Sequence, residues 1–304
     1  MKDPRPPTVA LKIDVDTRIG TETGIPGLAR LFAELDIKAT WFLVFGPDNS
    51  GKAIRRIFKR KGFVGKMVRT NPVKIYGVKT LLYGTLLPAP MTGLAYRDVL
   101  LDLQRQGHEV GLHAWDHVDW QDHVFGWDAE TVEREYLKGV EAFTATYGSE
   151  PRMSGTPGWQ TSATSLAVQD RLGLLYASDT RGRGPFYPRI GDATYKTLQI
   201  PGTLPTVDEI LGVDGRDEQA TLDVLDGMIG PGETHVYTGH SEIEGMFLIG
   251  PFARFLRRLK ARGARFITLA QLRDELDHVP VCRLDQGMVP GRAGEVAVQG
   301  IEIS

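Results

Sequence analysis

Continuous apolar runs alternate along the chain with segments whose apolar positions recur at helical spacing. The run TVALKIDVD at 8–16 predicts a buried strand, residues 24–35 predict a helix, and KATWFLVF at 38–45 predicts a second strand. Further strands are expected at 109–113, 153–155, 175–178, 197–200, 235–238 and 265–268, with helices at 96–106, 128–147, 162–172, 218–229, 250–262 and 269–276. Such alternation is typical of an α/β protein with a mostly parallel sheet, and about seven repeats favour a barrel over an open sheet.

Composition narrows the classes of protein that fit. The 304 residues are 41% hydrophobic and 24% charged, which is enough for a full core. We expect one main domain over 1–280 and a tail at 281–304 that is either an ordered appendage or partly disordered. A formal net charge of −2 gives no overall attraction to nucleic acid, so no nucleic-acid partner is expected. Protein partners cannot be inferred from these features.

Cysteine content and hydropathy bear on the compartment. Cys282 is the only cysteine, so no intrachain disulfide can form. The first residues are polar and lead straight into a strand, and no apolar run reaches the roughly 18 residues of a spanning helix. We therefore expect a cytoplasmic protein.

Polar side chains with metal-binding chemistry fall where predicted strands end. Asp14 and Asp16 end the first strand with the same parity, so both point to one face, where two carboxylates side by side are unfavourable without a cation. His113 ends the third strand and His117 follows four residues later, a spacing that places two imidazoles on one face of a helix. Together they predict a divalent-metal site with an open position. Solvated aspartates at a turn and a polar helix start are the alternatives.

Two further polar residues lie at strand ends. His240 follows the strand at 234–238, away from the paired histidines, and suits a general acid that protonates a leaving group. A surface-loop histidine is the alternative. Asp179 ends a middle strand. Active sites of α/β barrels form at the carboxyl ends of strands, so we expect these residues to meet.

Residues 49–97 form a second distinctive feature. This segment contains eleven Lys or Arg and no Asp or Glu, with apolar residues interleaved. Basic segments with apolar faces favour anionic membrane surfaces, where each basic residue contributes about 1 kcal/mol. A solvated face and an RNA-binding patch are the alternatives. The residues expected to contact the membrane are Arg55, Arg56, Lys59, Arg60, Lys61 and Lys66.

These residues together resemble the polysaccharide deacetylase superfamily, the NodB-type metal amidases, over about 8–276. The resemblance implies a distorted (β/α) barrel of about seven strands. It also implies that Asp16, His113 and His117 bind a divalent metal, with Zn²⁺ favoured and Co²⁺, Ni²⁺ or Mn²⁺ as alternatives. Asp14 would then act as the base and His240 as the acid in amide hydrolysis.

Longer phrases resemble one branch of this family. They include LKIDVDT, FGPDN, HEVGLHAWDH, TPGWQ, SDTRG, QIPGTLPT and YTGHSEIEG. The branch removes a formyl group from an amino sugar carried on undecaprenyl phosphate, in the modification of lipid A that gives polymyxin resistance. The implied partners are this lipid-linked substrate and an anionic membrane surface, at the inner face of the inner membrane. A deacetylase of another N-acylated amino sugar, and a non-catalytic membrane-binding module with a vestigial metal site, are the alternatives.

One departure from the family pattern affects the proposed base. Most members have Arg-x-Pro on a middle strand, and the Arg pairs with the catalytic Asp. Here Gly155 begins the corresponding triplet Gly-Thr-Pro. The orienting cation is therefore missing, or it is supplied by Arg152, Arg181 or Arg183.

Four residues are expected near the substrate. Trp115 and Trp159 are candidates for a wall that stacks on the sugar, with core packing as the alternative. Asp179 would support His240 or contact substrate. Arg181 would contact substrate.

Overall fold

The computed structural model describes residues 5–53 and 72–303. All six residues expected to contact the membrane lie outside these ranges. The strands are β1 (Thr8–Val15), β2 (Thr40–Val44), β3 (Glu109–Ala114), β4 (Met153–Ser154), β5 (Tyr176–Ala177), β6 (Tyr187–Ile190), β7 (Ala193–Thr194), β8 (Leu198–Gln199), β9 (Thr234–His240), β10 (Arg265–Ile267), β11 (Val281–Met288) and β12 (Glu295–Glu302). The helices are α1 (Ile25–Glu34), α2 (Pro72–Thr80), α3 (Arg97–Arg105), α4 (His117–His123), α5 (Ala129–Tyr147), α6 (Ala163–Leu172), α7 (Val207–Ile210), α8 (Glu218–Gly227), α9 (Ile249–Ala261) and α10 (Leu269–Asp274).

Parallel strands form a curled sheet with helices around it, as expected for a distorted (β/α) barrel. The strand order is β10-β1-β2-β3-β4-β5-β8, and β9 pairs with β1 as well. One end of β1 pairs with β10 and the other with β2, and every pairing in this sheet is parallel. The predicted barrel class is confirmed.

Strand β1 separates two apolar layers because its side chains alternate between faces. All eight of its residues are buried. Val9, Leu11 and Ile13 belong to the large core between the sheet and the helices, whereas Ala10 packs in a smaller cluster inside the curl. The parity of Ala10 is shared by Lys12 and Asp14. A continuous apolar run therefore carries two charged side chains on its inner face.

The longest helix begins and ends where its local chemistry dictates. The Asp128 carboxylate accepts a hydrogen bond from Thr131 N at 2.8 Å, which satisfies a backbone donor of the first turn of α5. Gly148 ends the helix in the left-handed conformation, with φ of 76°. This helix covers one side of the curled sheet through a buried stripe that includes Val132, Val140 and Phe143.

Residues 281–302 form an ordered β-hairpin. Strands β11 and β12 pair antiparallel, and β11 adds in parallel to β6, giving a second sheet in the order β12-β11-β6-β7. Arg181 joins this hairpin to the barrel, because its N–H donates to Ala297 O at 2.9 Å and its carbonyl accepts from Gln299 N at 2.8 Å.

Candidate metal centre and its pocket

Three side chains able to bind a metal converge at the carboxyl ends of β1 and β3. Asp16 follows β1, His113 lies in β3 and His117 begins α4. His113 Nε2 lies 3.2 Å from Asp16 Oδ1, and His117 Nε2 lies 3.4 Å from Asp16 Oδ2. One ligand atom from each residue lies within 4.8 Å of the others. The structure thus brings together the three residues that the sequence predicted as metal ligands, and their role as ligands stays a prediction.

The backbone that presents the two histidines differs from the expected one. Their spacing predicted one helical face, but His113 lies in a strand and only His117 is helical. The reason is Asp116, whose Oδ1 accepts hydrogen bonds from Val118 N and Asp119 N at 3.0 Å and so starts the helix at His117. The strand-to-helix turn still brings the two imidazole centroids to 5.3 Å.

The hydrogen bonds of His113 fit a ligand role. Its Nδ1 donates to the Gly155 carbonyl, which can only accept. Its Nε2 faces the Asp16 carboxylate. If Nε2 carries a lone pair, a cation is needed between this nitrogen and the carboxylate; otherwise Nε2 carries a proton and the ring is an imidazolium. Burial raises the pKa of Asp16. The nearby His117, His113 and His240 lower that pKa by more than burial raises it, so the pKa lies well below the usual range of a carboxyl group. Two imidazoles and one carboxylate are ligands that Zn²⁺ accepts.

Asp14 lies beside this cluster and is paired with a lysine. Its carboxylate is buried at 5% exposure, and Oδ2 lies 3.5 Å from Lys12 Nζ. Lys12 is 1% exposed and also donates to Ser178 O at 2.8 Å. The cation beside Asp14 is therefore Lys12, which lies on the same face of the same strand, and not the predicted Arg152, Arg181 or Arg183.

The surroundings of Gly155 explain why an arginine does not serve there. A Cβ at this position would lie 2.8 Å from the Phe42 ring. Arg181 is occupied elsewhere, with Nη1 2.7 Å from Glu209 Oε1, and Arg183 Nη2 donates to Gly300 O at 3.0 Å. The expectation that either arginine orients Asp14 is therefore wrong.

His240 ends β9 and faces the same cluster. Its backbone N–H donates to Glu244 Oε2 at 2.8 Å, and Tyr237 OH donates to Glu244 Oε1 at 2.8 Å. Burial lowers the pKa of His240, but the carboxylates of Asp16, Asp208 and Asp14 outweigh it and raise that pKa to about 9. The surrounding carboxylates therefore favour the protonated imidazole, which can donate a proton.

Glu242 contacts the backbone beside the candidate metal centre and was not singled out from the sequence. It is fully buried and accepts hydrogen bonds from Thr17 N at 2.9 Å, Thr17 Oγ1 at 2.7 Å and Asp16 N at 3.1 Å. Burial, with the nearby Asp16 charge, raises the pKa of Glu242 to about 7. The stretch Ser-Glu-Ile-Glu reads as an exposed turn. The Glu242 side chain also packs closely against Gly20, where a Cβ would lie 2.0 Å from Glu242 Oε1.

The Asp–His–His cluster faces a cavity of about 580 Å³. Its floor contains Asp14, Asp16, His113, His117 and His240. Apolar side chains line part of its wall, namely Ile75, Tyr76, Leu81, Val118, Phe125 and Ile243. The β11–β12 hairpin contributes Gln286, Arg292, Ala293, Gly294 and Glu295. The tail is thus part of the pocket, which its sequence did not indicate.

The four residues expected near substrate occupy different positions. Trp159 lines the cavity although it is only 3% exposed, and Trp115 packs half-buried against the core outside the described lining. Asp179 is fully buried and accepts from Thr156 N at 2.7 Å. Arg181 is buried against Glu209. These contacts make Asp179 and Arg181 supports of the pocket wall, and their contact with substrate stays a prediction.

The curled parallel sheet carries an Asp–His–His cluster at the carboxyl ends of its strands. The family model "Polysaccharide deacetylase" matches residues 1–177. The chain belongs to the polysaccharide deacetylase family. The prediction of a hydrolase that acts on an amide bond is confirmed by this membership and by relatives named as deformylases.

Two curated relatives and one solved structure are similar over nearly the whole chain. The "Probable 4-deoxy-4-formamido-L-arabinose-phosphoundecaprenol deformylase ArnD" of Shewanella sediminis is 34% identical, covering 97% of this chain and 96% of that protein. The protein of the same name from Wigglesworthia glossinidia brevipalpis is 32% identical, covering 92% and 98%. A putative polysaccharide deacetylase from Mycobacterium smegmatis shares the fold, with a TM-score of 0.57, 17% identity and 90% coverage of both chains.

Proposed function

We propose that this protein is a metal-dependent deformylase acting on 4-deoxy-4-formamido-L-arabinose linked to undecaprenyl phosphate. The reaction consumes water and releases formate and the free amino sugar on its carrier. The observation that carries the proposal is the convergence of Asp14, Asp16, His113, His117 and His240 on one pocket floor. The names of the two curated relatives support the substrate.

The residues of the pocket floor have two separate roles in this step, metal binding and proton acceptance. Asp16, His113 and His117 would hold the divalent cation, with Zn²⁺ favoured. A bound divalent cation would polarise the formyl carbonyl and acidify the attacking water. Asp14, oriented by Lys12, accepts the proton of that water, and its unpaired Oδ1 is available to do so within the described part of the site.

His240 completes the reaction at the leaving group. Cleavage of the C–N bond leaves the sugar nitrogen in need of a proton, and His240, which lines the same cavity beside Asp14 and Asp208, is placed to supply it. The carboxylate of Glu244 accepts from the His240 backbone N–H and thereby holds the end of β9. Loss of the formyl group exposes an amine that becomes positively charged.

The apolar wall of the pocket supports a lipid-linked substrate. Ile75 and Leu81 line the cavity. The same stretch of chain exposes large apolar side chains to solvent, namely Val73, Val78, Leu86, Met91 and Leu94. A segment that is apolar both toward the pocket and outward is suited to guide a polyprenyl chain from a bilayer.

We further propose that the protein is cytoplasmic and binds peripherally at the inner face of the inner membrane, in the modification of lipid A that gives polymyxin resistance. None of the helices within 5–53 and 72–303 has the length and hydropathy to cross a membrane. The basic residues of 49–97 would add electrostatic attraction to anionic lipids.

Formate release tests the chemistry. Purified protein is incubated with the formamido-arabinose phospholipid before and after chelation, and then with Zn²⁺, Co²⁺, Ni²⁺ or Mn²⁺ restored. Formate that disappears with chelator and returns with metal supports the proposal. Acetate from an N-acetyl analogue, with no formate, would replace the proposed deformylase with a deacetylase. Neither product with metal bound would favour a non-catalytic module.

Vesicle binding tests the membrane proposal separately. Neutralising Lys59, Arg60 and Lys61 together should weaken sedimentation with anionic vesicles. A matched control neutralises three exposed basic residues elsewhere, namely Lys138, Arg171 and Arg257, whose side chains are 43%, 55% and 49% exposed. Equal binding by the two triple variants would contradict a membrane role for 59–61.

A further inference from the structure

The turn between β11 and β12 is fixed against the barrel beside the pocket. Gln160 Nε2 donates to Glu295 O at 2.8 Å and thereby ties the start of β12 to the pocket wall. Gly291 has φ of 83°, and a Cβ there would lie 2.3 Å from Glu209 O. Only glycine combines that backbone conformation with that close approach. The turn residues that follow, including Arg292, are therefore held in one place.

Two arginines lie beside one buried carboxylate at this turn. Glu209 Oε1 lies 2.7 Å from Arg181 Nη1 but 3.6 Å from Arg292 Nη1. The Arg181 guanidinium also donates to Gly202 O at 3.3 Å and to Leu204 O at 2.9 Å. Glu209 is therefore held mainly by Arg181, and its contact with Arg292 is the longer one.

Arg292 presents its guanidinium to the cavity. It is the only Lys or Arg among the described residues that line the cavity. Its Cζ lies 4.5 Å from the centroid of the Trp159 ring, and Arg181 Cζ lies 4.8 Å from the same centroid. Within the described structure, no acceptor makes a hydrogen bond with the Arg292 guanidinium, although its side chain is only 14% exposed. A stacked guanidinium with free donors is prepared for a planar, bidentate anion contact.

We propose that Arg292 binds a phosphate oxyanion of the substrate, the phosphodiester that joins the sugar to its lipid carrier. This inference rests on the proposed function and adds the C-terminal hairpin to its substrate site. Arg292 lines the cavity from the β11–β12 turn, whereas Asp16, His113 and His117 line it from the ends of β1 and β3. The phosphate would therefore bind at the turn while the formyl group enters the candidate metal centre.

Two substrates separate a phosphate contact from a general defect. Formate release is measured with a formamido-arabinose polyprenyl phosphodiester and with the uncharged methyl glycoside of the same sugar. Arg292→Gln should raise KM about 10- to 100-fold for the phosphodiester, the range expected when hydrogen bonds to a charged group are lost. It should change kcat less and leave the glycoside unaffected. Arg292→Lys should restore part of the loss. Arg283→Gln is the control, because Arg283 lies on the same hairpin with its side chain 55% exposed and paired with Asp285.

Equal losses on both substrates, or no loss on the phosphodiester, would overturn the inference and leave the deformylase proposal intact. If wild-type protein releases no formate from either substrate, a direct binding measurement still tests whether Arg292 contacts phosphate. Undecaprenyl phosphate and inorganic phosphate are titrated against wild type and Arg292→Gln, with Trp fluorescence as the signal. Tighter binding of undecaprenyl phosphate by wild type than by Arg292→Gln supports a lipid-phosphate site. Binding of inorganic phosphate without binding of undecaprenyl phosphate would instead identify a free-phosphate site and overturn the assignment. Identical titrations by the two proteins would refute the assignment.

Discussion

Replacing Lys12 by Met tests whether a buried lysine holds the candidate base. Met is one atom shorter than Lys but keeps an unbranched apolar stem, and it removes the charge and the donors. Lys12 Nζ lies 3.5 Å from Asp14 Oδ2 and 2.8 Å from Ser178 O, and it sits 5.3 Å from the centroid of the Phe42 ring. The substitution therefore leaves a buried carboxylate and a buried carbonyl without their partner.

The magnitude follows from this burial. Removing one member of a buried ion pair costs about 3–5 kcal/mol, because the remaining charge stays desolvated without compensation. The double variant Lys12→Met/Asp14→Asn removes both charges and should lose less than the two single variants add up to. Contacting residues of this kind show coupling energies of about 0.5–3 kcal/mol. Turnover should fall in Lys12→Met with little change in KM, since the base loses its orientation and the substrate contacts remain.

Urea denaturation in the presence of chelator measures the free energy of unfolding of each variant. Lys138→Met is the control, because that lysine is 43% exposed and its loss should change stability by no more than about 0.5 kcal/mol. A Lys12→Met protein within about 1 kcal/mol of wild type would refute the reasoning. Strictly additive losses in the double variant would show that Lys12 and Asp14 are not coupled.

Three further predictions concern the centre and its support. Gly20→Ala should destabilise the protein by about 1–3 kcal/mol and reduce turnover, because its Cβ would displace Glu242, whereas Gly184→Ala, which meets open space, should change neither quantity in the same assays. His113→Ala should lose metal stoichiometry in elemental analysis while the circular dichroism spectrum is retained; full stoichiometry would remove it from the ligand set. The pKa of His240 is raised in the folded, metal-free protein. Its contribution to stability is therefore complete below the pKa of the unfolded state, near 6.5, and is lost as the pH rises through the folded-state pKa of about 9. Urea midpoints of wild type should therefore fall more between pH 6.5 and 9.5 than those of His240→Gln, and parallel curves would contradict the shift.

The barrel and its chemical edge could be predicted because they depend on local pattern. Continuous apolar runs separated by amphipathic segments specify parallel strands with crossover helices, whose carboxyl ends lie on one edge. Asp14, Asp16, His113 and His240 were placed on that edge by this rule alone. The class of the site followed from the residue types at those ends.

Other parts depend on contacts distant in sequence. The β11–β12 hairpin becomes ordered by pairing with β6 and by backbone bonds to Arg181, and no pattern within 281–304 encodes those partners. The burial of Glu242 depends on the backbone of Thr17, more than two hundred residues away. Lys12 is different, because its parity with Asp14 was visible in the first strand and indicates an inward-facing pair.

The charges of the pocket explain why its two ends should bind different parts of one substrate. Asp14 is paired with Lys12, whereas Asp16 lies between two histidines and is partly buried. Burial and the nearby Asp16 charge raise the pKa of Glu242 to about 7. A divalent cation at Asp16 would stabilise these carboxylates, while an anion would stabilise the Arg292 guanidinium, which makes no hydrogen bond within the described structure. Under the proposed function, a ligand with an amide at one end and a phosphate at the other would use both sites. A neutral amide would use the first site alone, so Arg292 would favour a phosphorylated amino sugar over a free one.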